Sequence, residues 1–490
     1  MFDTKVAAPG ADPAAPFAGL DDWALTAAIT VAAREQSMAC ARELAAIGEL
    51  YKRRAPEDDV ERVNWAIDGH ENVVAEVSAA LGISRGRARA RLGYAITLRE
   101  RLPQVAQVFA RGDIDFRMMA AIVYRTELVS DDELVATIDA CIARHAHKWK
   151  RFSQPKLAER IDMWITRFDP AGRRVPGNGV DERYVEINPV ESGMAGVWAQ
   201  LHATDGAALD QKLDAVAATV CRDDPRTARQ RRADALGALA AGAEVLRCEC
   251  GSPQCPAAQR RVGTDVVIHV VADQKSLGTG AAKPGYLPGY GPIPVPVLQQ
   301  LARRATIKPV RSPATEPEKG YRPSAALTEF VRLRDLTCRF PGCEAPATAC
   351  QIDHTVPWPV GPTHASNCKL LCVVHHLLKT FYTGAGGWSD RQLPDGTVIW
   401  TAPSGVTHRT KPHGALFFPA LATPTAPLCL PAVPAPRPGR TAMMPARKRT
   451  RAQQHRARIA HERRLNEERL AAEHRERHAW LVANDEPPPF

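Results

Sequence analysis

Four soft metal-ligand side chains fall within one short stretch, CRFPGCEAPATACQIDHTVPWPVGPTHASNCKLLCVVHHLLKT, and nothing else in the chain restricts its fold as much. Cys338 and Cys343 form a C-x4-C pair across a Pro-Gly turn. Cys372 and His375 form a C-x-x-H pair at what reads as the start of a helix. Three thiolates and an imidazole on two tight turns are the ligand set of a closed, structural Zn2+ site. A unit this small buries little apolar surface, so a metal staple is what its stability requires.

The same stretch carries a second set of polar groups. Asp353 and His354 end an expected strand, ATACQIDH; Asn367 precedes a second, CKLL; His376 follows on the helix, beside His375. This strand–loop–strand–helix order brings a carboxylate and two imidazoles to one small surface. Phosphodiester hydrolysis needs such types. A neutral His is a suitable general base near pH 7, and a divalent cation offsets charge on the phosphate and leaving oxygen. His354 is therefore expected as the base, with Asp353 and His376 as ligands of a catalytic Mg2+ or Mn2+. Asn367 is expected to hold the loop and orient His354. Lys379, one turn beyond His376, is expected to meet a phosphate.

With these residues in place, Cys338–Lys379 resembles the HNH endonuclease family, in the version whose ββα-metal core is clamped by zinc. His354, Asn367 and His376 stand where the residues that name that motif stand, and the likeness runs on through Gly387-Trp388 and TVIWTAPSGVTH. Two positions depart from the pattern. His375 stands where many relatives have a second Cys, and Cys368 stands where an apolar residue is usual; the latter is expected to pack as a small hydrophobe. The preceding region, through AALGISRGRARARLGYAITLRERLPQVAQVFARGDID, QRRADALGAL, CECGSPQCPA and LPGYGPIP, resembles an actinobacterial, mycobacterial-type repeat family. In that family an N-terminal domain of unknown function is joined to a C-terminal HNH module. The likeness implies a metal-dependent DNA endonuclease, with a non-catalytic DNA-binding protein that retains the fold as the alternative. It supplies no activity for the N-terminal part.

Bulk properties agree. The 490 residues are 45% hydrophobic and 24% charged, enough for two or three globular units. The net charge of +10 is concentrated: Arg447–Arg477 holds eleven Lys and Arg against five Glu. That suits a polyanion such as DNA. No apolar run reaches the ~18–20 residues of a membrane span, and the N-terminus has no basic flank leading into a long apolar core. The expectation is a cytoplasmic protein without a membrane partner; at least six of its 12 cysteines sit in short clusters with metal-ligand spacing, which suggests zinc over disulfides.

The expected fold is multidomain and mainly α: a helical N-terminal region, a small α/β middle, the zinc-stapled ββα-metal module and a flexible basic tail. Residues 1–19 lack pattern, 20–308 form the mostly helical domain, 309–322 a linker, 323–419 the module, 420–445 a Pro-rich linker and 446–490 the tail. Helices are expected at 20–54, 64–80, 85–101, 104–110, 117–128, 131–148, 208–220, 227–246 and 295–304. Strands are expected at 183–190 and 194–203, and DVVIHVVAD reads as a buried strand. VAEVSAALGISRGRARARL suggests a helix-turn-helix, with Gly82 making the turn, Ser84 capping, and Arg85, Arg87, Arg89 and Arg91 as DNA-contact candidates. Cys248, Cys250 and Cys255 suggest a second zinc site whose fourth ligand is Cys221 or His269. Cys40, Cys141, Cys350 and Cys429 are isolated and read as packing or surface residues. The tail reads as a polar helix whose front half, with no acid through Arg458, suits a salt-sensitive DNA-binding arm.

Overall fold

Ala- and Leu-rich segments with three- and four-residue apolar spacing fold as helices wherever that spacing is met by a cap. The computed structural model describes residues 17–55, 62–175, 183–190, 193–260, 268–277, 283–303, 305–384, 386–428 and 443–484. Asp21 caps α1 (Asp22–Arg54), accepting from the Ala24 amide, and Ala41, Leu44 and Ile47 are buried along one stripe. α2 (Gly69–Leu81) starts later than its periodicity predicts, because Asp68 accepts the Glu71 amide and fixes the cap there. The residues just ahead of it run alongside the start of the tail, Trp65 bridging to Ala446. Gly82, at φ +61°, ends α2 in the left-handed region, and α3 (Arg85–Glu100) follows.

α4 (Pro103–Ala110), α5 (Phe116–Thr126), α6 (Asp132–Ala146) and α7 (Gln154–Phe168) complete the bundle. Leu92, Phe109, Ile114, Met118, Ile138 and Ile161 fill its core. α2 differs from its neighbours in being buried on every side. Val73, Val74 and Val77 enter the bundle core, while Ala75 and Ala79 enter a second core with Phe340, Leu370 and Trp388 from the C-terminal half.

The middle of the chain holds an antiparallel ribbon, β1 (Tyr184–Pro189) with β2 (Ala195–Gln200), Ile187 opposite Val197. α8 (Ala203–Ala217) and α9 (Ala228–Ala240) pair next to it, the latter opened by a Thr227/Gln230 capping box. Of the β-branched run DVVIHVVAD, expected as a buried strand, only part is described. Residues 265–267 lie outside the described residues, Ile268 is exposed, and only Val271 bridges, to Tyr286. LPGYGPIP forms the hairpin β3 (Gly285–Leu287) and β4 (Gly291–Ile293), followed by α10 (Val295–Ala302).

α11 (Ala325–Asp335), capped by Ser324, leads into a hairpin of β5 (Cys350–His354) and β6 (Cys368–Cys372). α12 (Val373–Phe381) starts directly from β6. β7 (Ser389–Gln392), β8 (Val398–Thr401) and β9 (Thr407–Thr410) form a meander, and α13 (Gly414–Phe417) follows. Trp388 and Trp400 pack on Phe340 in the core between these parts. The segment expected as a free linker, 309–322, lies against this unit, where Glu318 bridges to Thr363.

α14 (Arg451–Ala483) corrects the expectation of a flexible tail. Arg463 pairs with Asp169 at 2.6 Å, Asn466 donates to the Ala171 and Arg173 carbonyls, and Arg447 and Arg451 pair with Asp68. Arg447, Arg451 and Arg463 thus have buried acidic partners elsewhere in the chain. Among the described residues, no helix is long and apolar enough to cross a membrane.

Candidate metal centre

Cys338, Cys343, Cys372 and His375 converge as their spacing predicts, their ligand atoms all within 4.8 Å of one another. The Pro341-Gly342 turn sets the first pair, and the β6–α12 junction sets the second. His375 Nδ1 is 3.2 Å from Cys372 Sγ and 3.5 Å from Cys338 Sγ, so Nδ1 is the ligating atom. Phe340 stacks flat on the His375 ring and fixes its plane. Burial pushes the Cys338 thiol up, and the Cys372 amide donates to its sulphur at 3.3 Å. Three thiolates this close repel one another unless a cation sits among them, so the donor set fits a metal ion such as zinc.

Gln351 and Asp353 share the face of β5 opposite to Cys350, and α12 brings His376 to it. Pairing of β5 with β6 puts Asp353 opposite Lys369 and His354 opposite Cys368. His376 Nδ1 donates to Gln351 Oε1 at 2.7 Å, which leaves Nε2 with its lone pair, 3.6 Å from Asp353 Oδ1. Burial lowers the His376 pKa and keeps the ring neutral. Two acceptor atoms therefore face each other with no proton between them. A divalent ion about 2.0–2.2 Å from each fits that gap. His376 is about one-third exposed, so the gap opens to solvent.

His354 is fixed by a different partner from the one expected. Its Nε2 lies 2.8 Å from Thr363 Oγ1, whose hydroxyl donates to the Gly320 carbonyl at 2.7 Å. Thr363 can therefore only accept from the ring, so His354 carries its proton on Nε2 and leaves Nδ1 basic. Tyr321 stacks on the ring, and burial lowers its pKa. Asn367 does not touch His354. Its side chain accepts the Val356 amide and donates to the Val356 and Pro362 carbonyls, so it holds the loop only. A Cβ at Gly361 would meet the Val356 carbonyl oxygen at 2.2 Å, and the loop closes on a glycine for that reason.

Lys379 also departs from expectation. Its ammonium bonds Asp353 Oδ2 at 2.6 Å and the His354 and Thr355 carbonyls, which leaves little of it for a phosphate. Lys369, fully buried, reaches the same Asp353 oxygen at 2.6 Å and Asp390 at 2.6 Å. Burial alone would raise the Asp353 pKa; the two ammoniums override it and hold the carboxyl well below the usual carboxylate range. Cys368 is buried, and burial pushes its thiol up to about 11, the behaviour of a packed hydrophobe.

The arginine set is not displayed as a free recognition face. Arg85 and Arg89 pair with buried Glu71, and Arg91 with Glu43; Arg87 is exposed. Gly82 itself is exposed, but Gly342 packs closely against the next residue, where a Cβ would lie 2.5 Å from the Ile83 carbonyl oxygen. Asp68, His70 and Glu71 also cluster, but Arg85, Arg89, Arg447 and Arg451 already neutralise the two carboxylates. Cys248, Cys250 and Cys255 do come together, and Cys221 completes their set; His269 is exposed and apart. Cys40 and Cys141 are half-buried, Cys350 is buried, and Cys429 lies outside the described residues.

Gln351, Thr363, Lys369 and Asp390 were not among the residues expected from sequence. Gln351 shares the Asp353 face of β5 by the two-residue period, and Lys369 follows once the hairpin register is known. Thr363 and Asp390 left no local signal.

Residues 31–335 match the family described as a domain of unknown function, DUF222, and the chain belongs to that family. It is 48% identical over 498 residues to the uncharacterized protein Rv3776 of Mycobacterium tuberculosis, covering 96% of this chain and 92% of that one. It is 45% identical over 518 residues to the uncharacterized protein Rv2100 of the same organism, covering 96% and 90%. No solved structure matches the chain at a significant level.

Proposed function

We propose that this protein is a metal-dependent HNH endonuclease that hydrolyses DNA phosphodiester bonds. The observation that carries the proposal is the pair of lone-pair-bearing atoms, Asp353 Oδ1 and His376 Nε2, facing each other at 3.6 Å, with His354, the next residue of β5 after Asp353, held through Nε2 by Thr363. Asp353 and His376 would hold Mg2+ or Mn2+. When bound, such an ion supplies positive charge against the phosphate and the leaving oxygen.

The remaining work falls to the chain. His354 takes a proton from the attacking water at Nδ1, the nitrogen that Thr363 leaves free. Its lowered pKa keeps it unprotonated at neutral pH. Lys369 and Lys379 tie up Asp353 Oδ2 and present Oδ1 toward His376. Asn367 holds the loop that carries Thr363 close to His354. The zinc-type cluster pins the start of α12 and so sets where His376 projects.

The test is nicking of supercoiled plasmid with Mg2+ or Mn2+ by the full chain and by His354→Ala. Cleavage by the wild type with loss in the variant supports the proposal. Retarded migration of DNA without cleavage under any divalent metal would support the DNA-binding reading instead.

A further inference from the structure

The cluster in the middle of the chain does not depend on the nuclease reading, and it is the best-built feature left outside the ββα unit. Cys248, Cys250 and Cys255 lie on one loop, and Cys221 reaches them from the end of α8. We propose that these four cysteines form a closed structural zinc site that clamps the α8–α9 pair to the 246–260 loop, so that the chain carries a second zinc ion besides the one expected at Cys338, Cys343, Cys372 and His375.

Geometry supports it first. All four Sγ atoms lie within 4.8 Å of one another, and Cys221 Sγ is 3.5 Å from Cys248 Sγ. Thiolates about 2.3 Å from a tetrahedral ion sit about 3.8 Å apart. A disulfide would bring two of them to about 2.05 Å, and all four are free.

The backbone supports it second. The sulphurs of Cys221 and Cys250 face the amides two residues further on, of Asp223 and Ser252, and that of Cys255 faces the Ala258 and Ala257 amides. Amides aimed at sulphur favour the thiolate that a metal needs. Gly251, at φ +74°, lets the loop turn back between Cys250 and Cys255.

The surroundings hold the two ligand segments together before any ion is counted. Thr219 Oγ1 accepts the Leu246 amide, and Asp224 accepts the Glu249 amide while paired with Arg226. Arg260 donates to the Thr219 and Leu246 carbonyls. The apolar core here is slight: Val216, Ala217, Ala235, Ala238 and Leu246 are its buried members. A unit with so little apolar burial gains its stability from the metal.

The experiment is metal analysis of the purified full chain by inductively coupled plasma mass spectrometry. The wild type should hold about two zinc ions and Cys221→Ser about one, whereas Cys372→Ser should lose the other. Because a ligand variant can misfold, the wild type is also alkylated before and after chelation and mapped by peptide mass. Cys221, Cys248, Cys250 and Cys255 should be protected until the chelator is added. Unchanged zinc content in Cys221→Ser, full alkylation of the four cysteines without chelator, or a Cys221–Cys248 disulfide in the untreated protein would each overturn the proposal.

Discussion

Thr363 decides which nitrogen of His354 is basic, because its own hydroxyl hydrogen is committed to Gly320. Thr363→Val should therefore slow DNA cleavage about 10–100-fold while leaving the thermal midpoint and Mn2+ affinity close to wild type; an unchanged cleavage rate would remove Thr363 from the mechanism. Glu71 is a residue of a different kind. Its carboxylate is buried at the meeting point of Arg85, Arg89 and Arg451. Burial pushes its pKa up, but the guanidiniums outweigh this and bring it from 4.5 to about 2. A depressed carboxyl stabilises the fold above its unfolded value and loses that contribution as pH falls through the folded value. The thermal midpoint should thus fall between pH about 4.5 and 2, and Glu71→Gln should flatten that slope. Glu71→Ala should cost about 1–3 kcal/mol, since it removes the shared partner of three partly exposed guanidiniums; denaturant unfolding measures it. Single residues were legible where short spacing carries chemistry, as with Cys338, Cys343, Cys372 and His375. They were not legible where a partner comes from far along the chain. Arg85 and Arg89 look like DNA contacts in sequence because Glu71 and Arg451 meet them only in three dimensions.

At the scale of elements, the β5–β6 hairpin and α12 form one device. Cys372 and His375 anchor the first turn of α12, and His376 and Lys379 follow from that anchor. Stripping the metal from this cluster with a strong chelator should abolish cleavage; Zn2+ should restore it, and added Mg2+ alone should not. Recovery with Mg2+ alone would separate the anchor from the activity. Helices were largely readable, since capping and periodicity are local: α1, α3 and α4 lie close to where their patterns predict. For DVVIHVVAD the described part pairs through Val271 with Tyr286, a partner that its own sequence does not announce. α14 was read correctly as a helix but wrongly as a free one, as its docking to Asp68 and Asp169 leaves no mark in its own sequence.

At the scale of the whole molecule, α2 belongs to two cores. Trp388 Nε1 donates to Asn72 and the Tyr382 hydroxyl to the Ile67 carbonyl, so the helical bundle and the ββα unit close on the same helix. Truncation after residue 322 would leave Ala75, Ala79 and Asn72 facing water. The truncated bundle should unfold well below the full chain, whose bundle and ββα unit should unfold together in one calorimetric transition. Two independent transitions, with the bundle unchanged by truncation, would contradict a shared core. The central claim concerns chemistry, and its most direct measurement is plasmid nicking by wild type and His354→Ala side by side in Mg2+ or Mn2+, with both proteins matched for zinc content and thermal midpoint. The account predicts metal-dependent nicking by the wild type and a loss of about 10²-fold or more in the variant. Equal cleavage by the two proteins, or none by either, would contradict it.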